Sequence, residues 1–389
     1  MRVLMLSTPY PSHFTPLVPF AWALRAAGHE VLVAAQPDVV DVAREAGLCT
    51  VTVGDRFHGL EMVQGSLAPG MRLLQMTGRM SRDDFRRASP FWGVHARYLM
   101  PRYAELADLW KPDLIVSEQM EFAGSALAAA RGIPSVQHRW AVDPLSDAAR
   151  EHCREYLDGV CRRMGLDGYP DPTLLLDPCP PSLQLPDATP GRPIRQVAFN
   201  GTGTVPEWAE DRRAERRVCV CLGRQVFQLN GVPLFRSVIE ACDGLVGTEA
   251  VVMAPADVHE QLGPVPDAVR LVSPAPLGLF LDSCDAVVHH GGANTAMTTI
   301  GFGLPQLVLP QLQDQFIIAD QLAEADAAIV LDTATEQDSP ATVHAALGAV
   351  LGDPRYGRAA RALAREMAEM PLPAEVLGHL SELVASHRQ

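Results

Sequence analysis

No stretch of this chain reaches the ~18 continuous apolar residues that a membrane span needs, and nowhere do Lys and Arg gather into a basic block. With 32 basic against 46 acidic residues the formal charge is −14. So acidic a surface repels polyanions, which argues against nucleic acid and anionic membranes as partners. The eight cysteines, at 49, 153, 161, 179, 219, 221, 242 and 284, show no Cys-x-x-Cys spacing. They read as reduced thiols rather than disulfides or a zinc site, which implies a cytoplasmic protein. Also missing are a Gly-x-Gly-x-x-Gly ahead of a helix, the Gly-Lys-Ser/Thr of a Walker loop, and an Asp-x-Asp to hold a divalent cation against a diphosphate. The opening MRVLMLSTPYPSH carries one basic residue and a short apolar run, a first strand rather than a signal peptide.

What is present is α/β alternation. At 389 residues, 48% of them hydrophobic, the chain suits two domains with ordinary cores. In the first half RVLMLS, EVLVAA, DLIVSE and PSVQH are short apolar runs of the buried-strand type. Between the first two, Leu17, Phe20, Ala21 and Leu24 recur at helical spacing. Thr15 is placed to cap that helix, Pro16 to open it and Gly28 to end it. Strand, helix and strand in about thirty residues make a βαβ unit and hence a parallel sheet. RRVCVCLG, TEAVVMA, AVRLVSP, DAVVHHG, PQLVLPQ and AAIVLD repeat the pattern, with Cys219 and Cys221 on one strand face. The Pro-, Gly- and charge-rich stretch 184–216 divides the halves. The expected organisation is an N-terminal domain 1–205, a linker 206–216, a C-terminal domain 217–373, and a helix 374–389 packing back on the first domain. Two facing Rossmann-like domains leave a cleft at their strand ends, so chemistry belongs in the loops directly after strands.

One such loop is VVHHGGANTAM, residues 287–297. Adjacent histidines at a strand end point apart and no third ligand stands at useful spacing, which disfavours a metal. A plain tight turn is a second reading. A phosphate site is the third and strongest: Gly291 and Gly292 let backbone N–H groups approach an anion, a helix opens towards it near Thr295, and His290 adds a ring N–H. Further on, in LVLPQLQDQF, Asp314 and Gln315 follow a strand and open a helix. A carboxylate and an amide side by side can clasp vicinal sugar hydroxyls; a helix cap with a solvated glutamine is the plain alternative.

The order HHGGANT, then GLPQLVLPQLQDQ, resembles the donor signature of GT-B glycosyltransferases. In particular it resembles that of bacterial enzymes that attach deoxysugars from TDP-sugars to polyketide and other antibiotic aglycones. RVLMLSTPYPSHFTPLVPFAWALRAAGHEV, DPCPPSLQ and NGTGTVPEW are similar to that family's opening, mid-chain segment and interdomain linker, and HRWAVDP resembles the spinosyn-type rhamnosyltransferases. The resemblance implies a GT-B fold and an inverting hexosyltransferase that needs no cofactor or metal, with a TDP-deoxysugar as donor and a hydrophobic aglycone as acceptor; it allows a homodimer. It assigns the diphosphate to His290, Gly291, Gly292 and Thr295, with Asn294 where many relatives have glycine. Gly223 and Arg224 of CLGRQ would lie near the phosphates, and Asp314 and Gln315 would hold the sugar. The turn SPAPLG would cradle the base through Pro274, Ala275 and Leu277, Pro274 standing where many relatives carry tryptophan.

For the attacking hydroxyl a base is required. His13 follows the first strand, and histidine titrates near neutrality; the resemblance places the general base at this position. A carboxylate that fixes its tautomer would be Glu118 or Asp143, each equally readable as a plain surface carboxylate. Residues 57–100 hold Phe57, Met62, Met71, Met76, Met80, Phe85, Phe91 and Trp92, and Trp140 lies in HRWAVDP. These could form an adaptable wall for an apolar acceptor or an ordinary helical core. A nucleotide-sugar 2-epimerase and a non-catalytic nucleotide-sugar-binding module are the rival functions.

Overall fold

The computed structural model describes residues 1–88, 90–143 and 146–387, without the side chains of residues 85, 86, 88, 146 and 148. Phe85 of the expected acceptor wall and Pro144 of HRWAVDP thus lie outside what is described. The chain forms two compact units: residues 1–57, 82–201 and 369–389, and residues 58–81 with 202–368.

The first unit is built on a seven-stranded sheet in the order β3-β2-β1-β4-β5-β6-β7. Its strands are β1 (Arg2–Leu6), β2 (Glu30–Ala35), β3 (Cys49–Thr52), β4 (Leu114–Glu118), β5 (Ser135–His138), β6 (Leu174–Asp177) and β7 (Arg192–Pro193). The second has six strands in the order β10-β9-β8-β11-β12-β13, namely β8 (Arg216–Cys221), β9 (Thr248–Met253), β10 (Val269–Val272), β11 (Ala286–His289), β12 (Gln306–Val308) and β13 (Ala328–Val330). All pairings are parallel. Crossover helices cover both faces, and the strands are apolar on both faces accordingly. In β8, Val218 and Val220 join one core with Leu234 and Phe235, while Cys219 joins the other with Phe280 and Leu281, and Cys221 packs on that same side. The cysteines form no disulfide, and Cys49 alone among them is exposed.

Local detail departs from the sequence reading in places. Thr15 does not cap the first long helix. A helical turn Pro11–Phe14 and a 3-10 turn Thr15–Leu17 come first, and the helix proper is Val18–Ala26. The Thr15 hydroxyl is directed instead at the Ser12 carbonyl, 3.4 Å away. Prolines at 11, 16 and 19 explain the stepwise start, since each lacks an N–H and suits a first turn. Gly28 takes φ +82° and ends the helix, its N–H bonding the Arg25 carbonyl and that of His29 the Leu24 carbonyl. The C-terminal helix Pro373–His387 packs against Val18–Ala26.

The segment His58–Ser81, assigned by sequence to the first half, clusters with the second unit. Buried Arg72 explains this: its guanidinium bonds Gln311 at 3.0 Å and Gln337 at 2.9 Å and pairs with Asp338. Arg79 pairs with Asp320 and Asp332. Among the described residues no helix is long and apolar enough to cross a membrane.

Arg217 is fully buried in β8. It pairs with Glu249 at 2.8 Å and donates to the carbonyls of Trp208, Ala209 and Asp211, tying the entry segment to the sheet. Losing one partner of a buried pair strands the other, so Arg217→Met is expected to destabilise the second unit by about 3–5 kcal/mol. Adding Glu249→Leu should recover much of that loss. Denaturant unfolding of the single and double variants checks both.

Candidate active site

In the first unit β1 and β4 are neighbours, with Leu6 beside Ser117. The chain therefore leaves β1 through Ser7 and Thr8 alongside Glu118, the last residue of β4. Glu118 is wholly buried. One of its oxygens accepts from the Thr8 backbone N–H at 3.0 Å and from the Thr8 hydroxyl at 2.6 Å. The other accepts from the Met120 N–H at 2.7 Å. The same Thr8 Oγ1 lies 2.7 Å from His13 Nδ1, whereas Glu118 itself is 4.0 Å from that nitrogen. The turn Pro11–Phe14 carries His13 back over the strand end, its N–H bonding the Tyr10 carbonyl at 2.9 Å.

Rings enclose His13. Trp140 lies against it with centroids 3.9 Å apart and the rings tilted by 33°, Tyr10 is at 5.1 Å and Trp92 at 5.9 Å. Phe57 extends the cluster from Tyr10, and Phe91 from Trp92 at 5.0 Å. Phe91 is 43% exposed, which leaves this apolar wall open on one side. Beneath it His95 bonds Gln36 at 2.7 Å. The side chain of His13 is 18% exposed. Burial lowers its pKa to about 3, because the imidazolium form loses its hydration. Burial acts oppositely on Glu118 and raises it to about 7, against the lowering effect of the Thr8 and Met120 hydrogen bonds.

Of the two carboxylates proposed to orient His13, the geometry brings only Glu118 towards it. Asp143 is instead held by Arg139 at 2.6 Å, in a buried group that includes Asp177; its charge is used by that guanidinium. The predicted Phe57, Phe91, Trp92 and Trp140 gather round His13. Met76 and Met80 sit on the 58–81 segment of the second unit. Thr8 and Tyr10 were not singled out from sequence, although both fall in the loop after β1 where site residues are expected.

In the second unit β8 and β11 are neighbours, so their following loops meet. The two histidines diverge as their strand position requires. His289 is buried, its Nε2 bonding Gln306 at 2.6 Å while its Nδ1 accepts from the Gly291 N–H at 3.0 Å. His290 turns the other way and packs between two glycines. A Cβ on Gly223 would come 2.9 Å from its ring, and one on Gly292 only 2.5 Å from Nε2. Gly291, at φ +83°, lies so close to the Gln315 carbonyl that a Cβ would stand 2.9 Å from it. Helix Ala293–Gly301 starts at Gly292 with no side-chain cap, so its first-turn N–H groups are presented at the turn. Thr295 acts to lower the pKa of the Cys221 thiol, which burial raises to about 11. Burial lowers the His290 pKa to about 4, the Cys221 backbone bond acting weakly the other way; the ring is a neutral one-proton donor near pH 7. Arg224 opens the short helix Arg224–Gln228 and is exposed.

Asp314 opens helix Asp314–Glu324 directly after Gln313, whose φ of +44° and ψ of −123° belong to a backbone region favouring glycine. Burial raises the Asp314 pKa to about 6, against the backbone N–H groups of its own helix turn. The Gln315 side-chain oxygen Oε1 is committed to the loop, accepting from Gln311 N–H at 2.9 Å and Leu312 N–H at 3.2 Å; what the side chain offers a ligand is its NH2. In the turn SPAPLG, Pro274 is exposed and Ala275 half-buried, whereas Leu277 is a core residue beside Phe280 and Val287. Leu277–Leu279 packs against helix Ala293–Gly301.

Comparison with known proteins places this geometry. Residues 22–223 match the N-terminal domain of the family described as erythromycin biosynthesis protein CIII-like, and residues 238–383 match its C-terminal domain. The chain is 36% identical to L-demethylnoviosyl transferase of Streptomyces niveus, over 97% of this chain and 96% of that one. It is 33% identical to tylactone mycaminosyltransferase of Streptomyces fradiae, over 100% and 93%. Among solved structures it superposes on spinosyn rhamnosyltransferase SpnG complexed with thymidine diphosphate with a TM-score of 0.85 and 39% identity, covering 98% of this chain and 100% of that chain. The chain belongs to the erythromycin biosynthesis protein CIII-like family and is a glycosyltransferase of the GT-B fold.

Proposed function

We propose that the protein transfers a deoxysugar of the rhamnose type from a TDP-sugar to a hydroxyl of a hydrophobic, polyketide- or macrolide-type aglycone, with inversion at the anomeric carbon and without a metal. Its place of action is the cytoplasm, consistent with eight thiols held outside disulfides. The observation that carries this reading is His13: a neutral imidazole after β1, backed by Thr8 and Glu118 and set in a partly open wall of Tyr10, Trp92 and Trp140. A flat apolar acceptor is held by such rings, and its hydroxyl meets a base instead of water. Support for the donor comes from the second unit's turn at His290 and from the names of the relatives.

In the reaction the acceptor oxygen attacks the anomeric carbon from the face opposite the diphosphate. His13 Nε2 takes the hydroxyl proton as the new carbon–oxygen bond forms. The bond to the diphosphate breaks with its electron pair, and TDP departs carrying the extra negative charge. Backbone N–H groups at the start of helix Ala293–Gly301, the His290 N–H and Arg224 meet that charge. Asp314 and the Gln315 amide hold the sugar hydroxyls. Fixed donors of this kind contribute ~3 kcal/mol each to the barrier.

Three results are expected. His13→Ala lowers turnover by about 10²–10⁴-fold while calorimetric titration finds TDP affinity unchanged; unaltered turnover would remove His13 from the mechanism. Gly292→Ala displaces the His290 ring and weakens TDP binding about tenfold, ~1.4 kcal/mol, in the same titration. TDP release from a TDP-deoxysugar depends on an added lipophilic alcohol and is unaffected by a chelator; loss on chelation with recovery on adding a cation would contradict the metal-free mechanism.

A further inference from the structure

Between the proposed base and its carboxylate stands a side chain that neither a histidine nor a glutamate role accounts for. Thr8 is wholly buried, and its hydroxyl touches both groups, at 2.7 Å from His13 Nδ1 and 2.6 Å from Glu118 Oε1. The histidine and the carboxylate are themselves 4.0 Å apart, beyond hydrogen-bond length. Glu118 is not free to swing closer, because its second oxygen is held by the Met120 N–H at 2.7 Å.

We propose that Thr8 is a positioning residue for the transfer: its hydroxyl fixes His13 with Nδ1 protonated and Nε2 open, and conveys the Glu118 charge to the ring. This rests on His13 being the base. A hydroxyl has one hydrogen and two lone pairs. An ionised Glu118 only accepts, so the Thr8 hydrogen is directed to it. Only a lone pair then remains for Nδ1, which has to be the donor. Neutral imidazole has one N–H, so Nε2 carries the lone pair. Ionised Glu118 thus sets the polarity of the whole chain, and a protonated Glu118 would let it reverse.

During transfer the balance is simple. The acceptor proton moves to Nε2, the ring becomes imidazolium, and its Nδ1–H stays on Thr8 Oγ1. No proton crosses Thr8; what crosses is polarisation towards Glu118, which offsets the ring's new charge. After product leaves, Nε2 returns its proton to solvent.

The electrostatics fit this assignment. Burial holds His13 neutral down to about 3, so its own protonation falls outside an ordinary assay range. Glu118, raised to about 7, titrates within it. The titratable groups that feel the Glu118 charge are Glu121, which burial raises to about 8, and Tyr103, which burial raises well above its ordinary value; the Trp140 side chain acts on Glu118 to lower it. An acid limb of kcat/KM near pH 7 would therefore belong to Glu118, not to His13.

The test compares Thr8→Val, which keeps the shape without the hydroxyl, Thr8→Ser, which keeps the hydroxyl, and Thr8→Ala. Each is assayed across pH 5.5–9 with TDP titration alongside. Thr8→Val is expected to lose about 10²-fold in kcat, with KM for the acceptor and TDP affinity unchanged, and Thr8→Ser to recover to within about fivefold of wild type. Glu118→Gln should remove the acid limb. Thr8→Val with kcat unchanged at every pH, in an enzyme that His13→Ala inactivates, overturns the Thr8 assignment alone; activity surviving in His13→Ala overturns the base reading beneath it. Should the valine variant not fold, serine and alanine decide: equal kcat in the two rules out a hydroxyl role, and a marked serine advantage supports it.

Discussion

Parallel pairing of β1 with β4, and of β8 with β11, places side by side the ends of strands that are far apart in the chain. Each pair lies where the order of strands reverses, the switch point beyond which ligands bind in open parallel sheets. Thr8 and Glu118 are 110 residues apart and meet only because of it. Gly223 meets His290 for the same reason. Parallel register fixes the outcome further, since a shift by one residue would turn Glu118 to the opposite face of the sheet. The hydrophobic cores that set the register act at long range on the chemistry: Val218, Val220 and Val288 on one face, Cys219 and Val287 on the other, place His290 as firmly as its own contacts do.

Burial then decides what the placed groups can do. An imidazole enclosed by Trp140, Tyr10 and Trp92 stays neutral, which keeps its lone pair available, yet the same desolvation makes it a weak base. A carboxylate next to the ring would resolve this by stabilising the imidazolium. It would also be drawn into a permanent ion pair with a protonated ring. Separation by one hydroxyl is intermediate: the ring at rest feels a polarised neighbour rather than a full charge in contact, and in the proposed reaction an imidazolium would still be compensated across 4.0 Å. Asp143 shows the opposite arrangement, in direct contact with Arg139 and bound to a structural role.

Residues buried on both faces of a sheet give continuous apolar runs, and the strands read from such runs correspond to β1, β2, β4, β5 and β8–β13. The three that were missed have shorter runs or none: CTVT in β3 is half threonine, LLLD in β6 is three leucines before a charge, and β7 is two residues, Arg192–Pro193. The glycine turn at His290 was legible because tight turns and exposed helix ends have local signatures. Thr8 was not, because its meaning depends on which strand neighbours β1, and no single sequence states that order. The choice between Glu118 and Asp143 was closed to sequence for the same reason. The placement of residues 58–81 rests on Arg72 and Arg79 finding partners more than two hundred residues onward.

The two sites are opposite in character, and the charge of the chain accounts for one side of the contrast. With a net −14, the protein has little long-range attraction for an anion, so any diphosphate has to be held by short-range, oriented groups. Glycines at 223, 291 and 292 remove the side chains that would keep a ligand from backbone N–H groups, and an uncapped helix supplies those groups already aligned. Neutral His290, sandwiched between two of those glycines, can add a hydrogen bond without adding a charge that would require its own counter-ion. The surroundings of His13 are the reverse: rings make up the wall, and a buried polar line runs from Glu118 through Thr8 to the imidazole. A neutral, flat acceptor gains dispersion and desolvation from such a wall, while a charged one would lose its hydration without an ion to meet. Under the proposed function, selection at each site would follow from what surrounds its histidine: small residues and backbone N–H groups at His290, and aromatic rings over a buried carboxylate at His13.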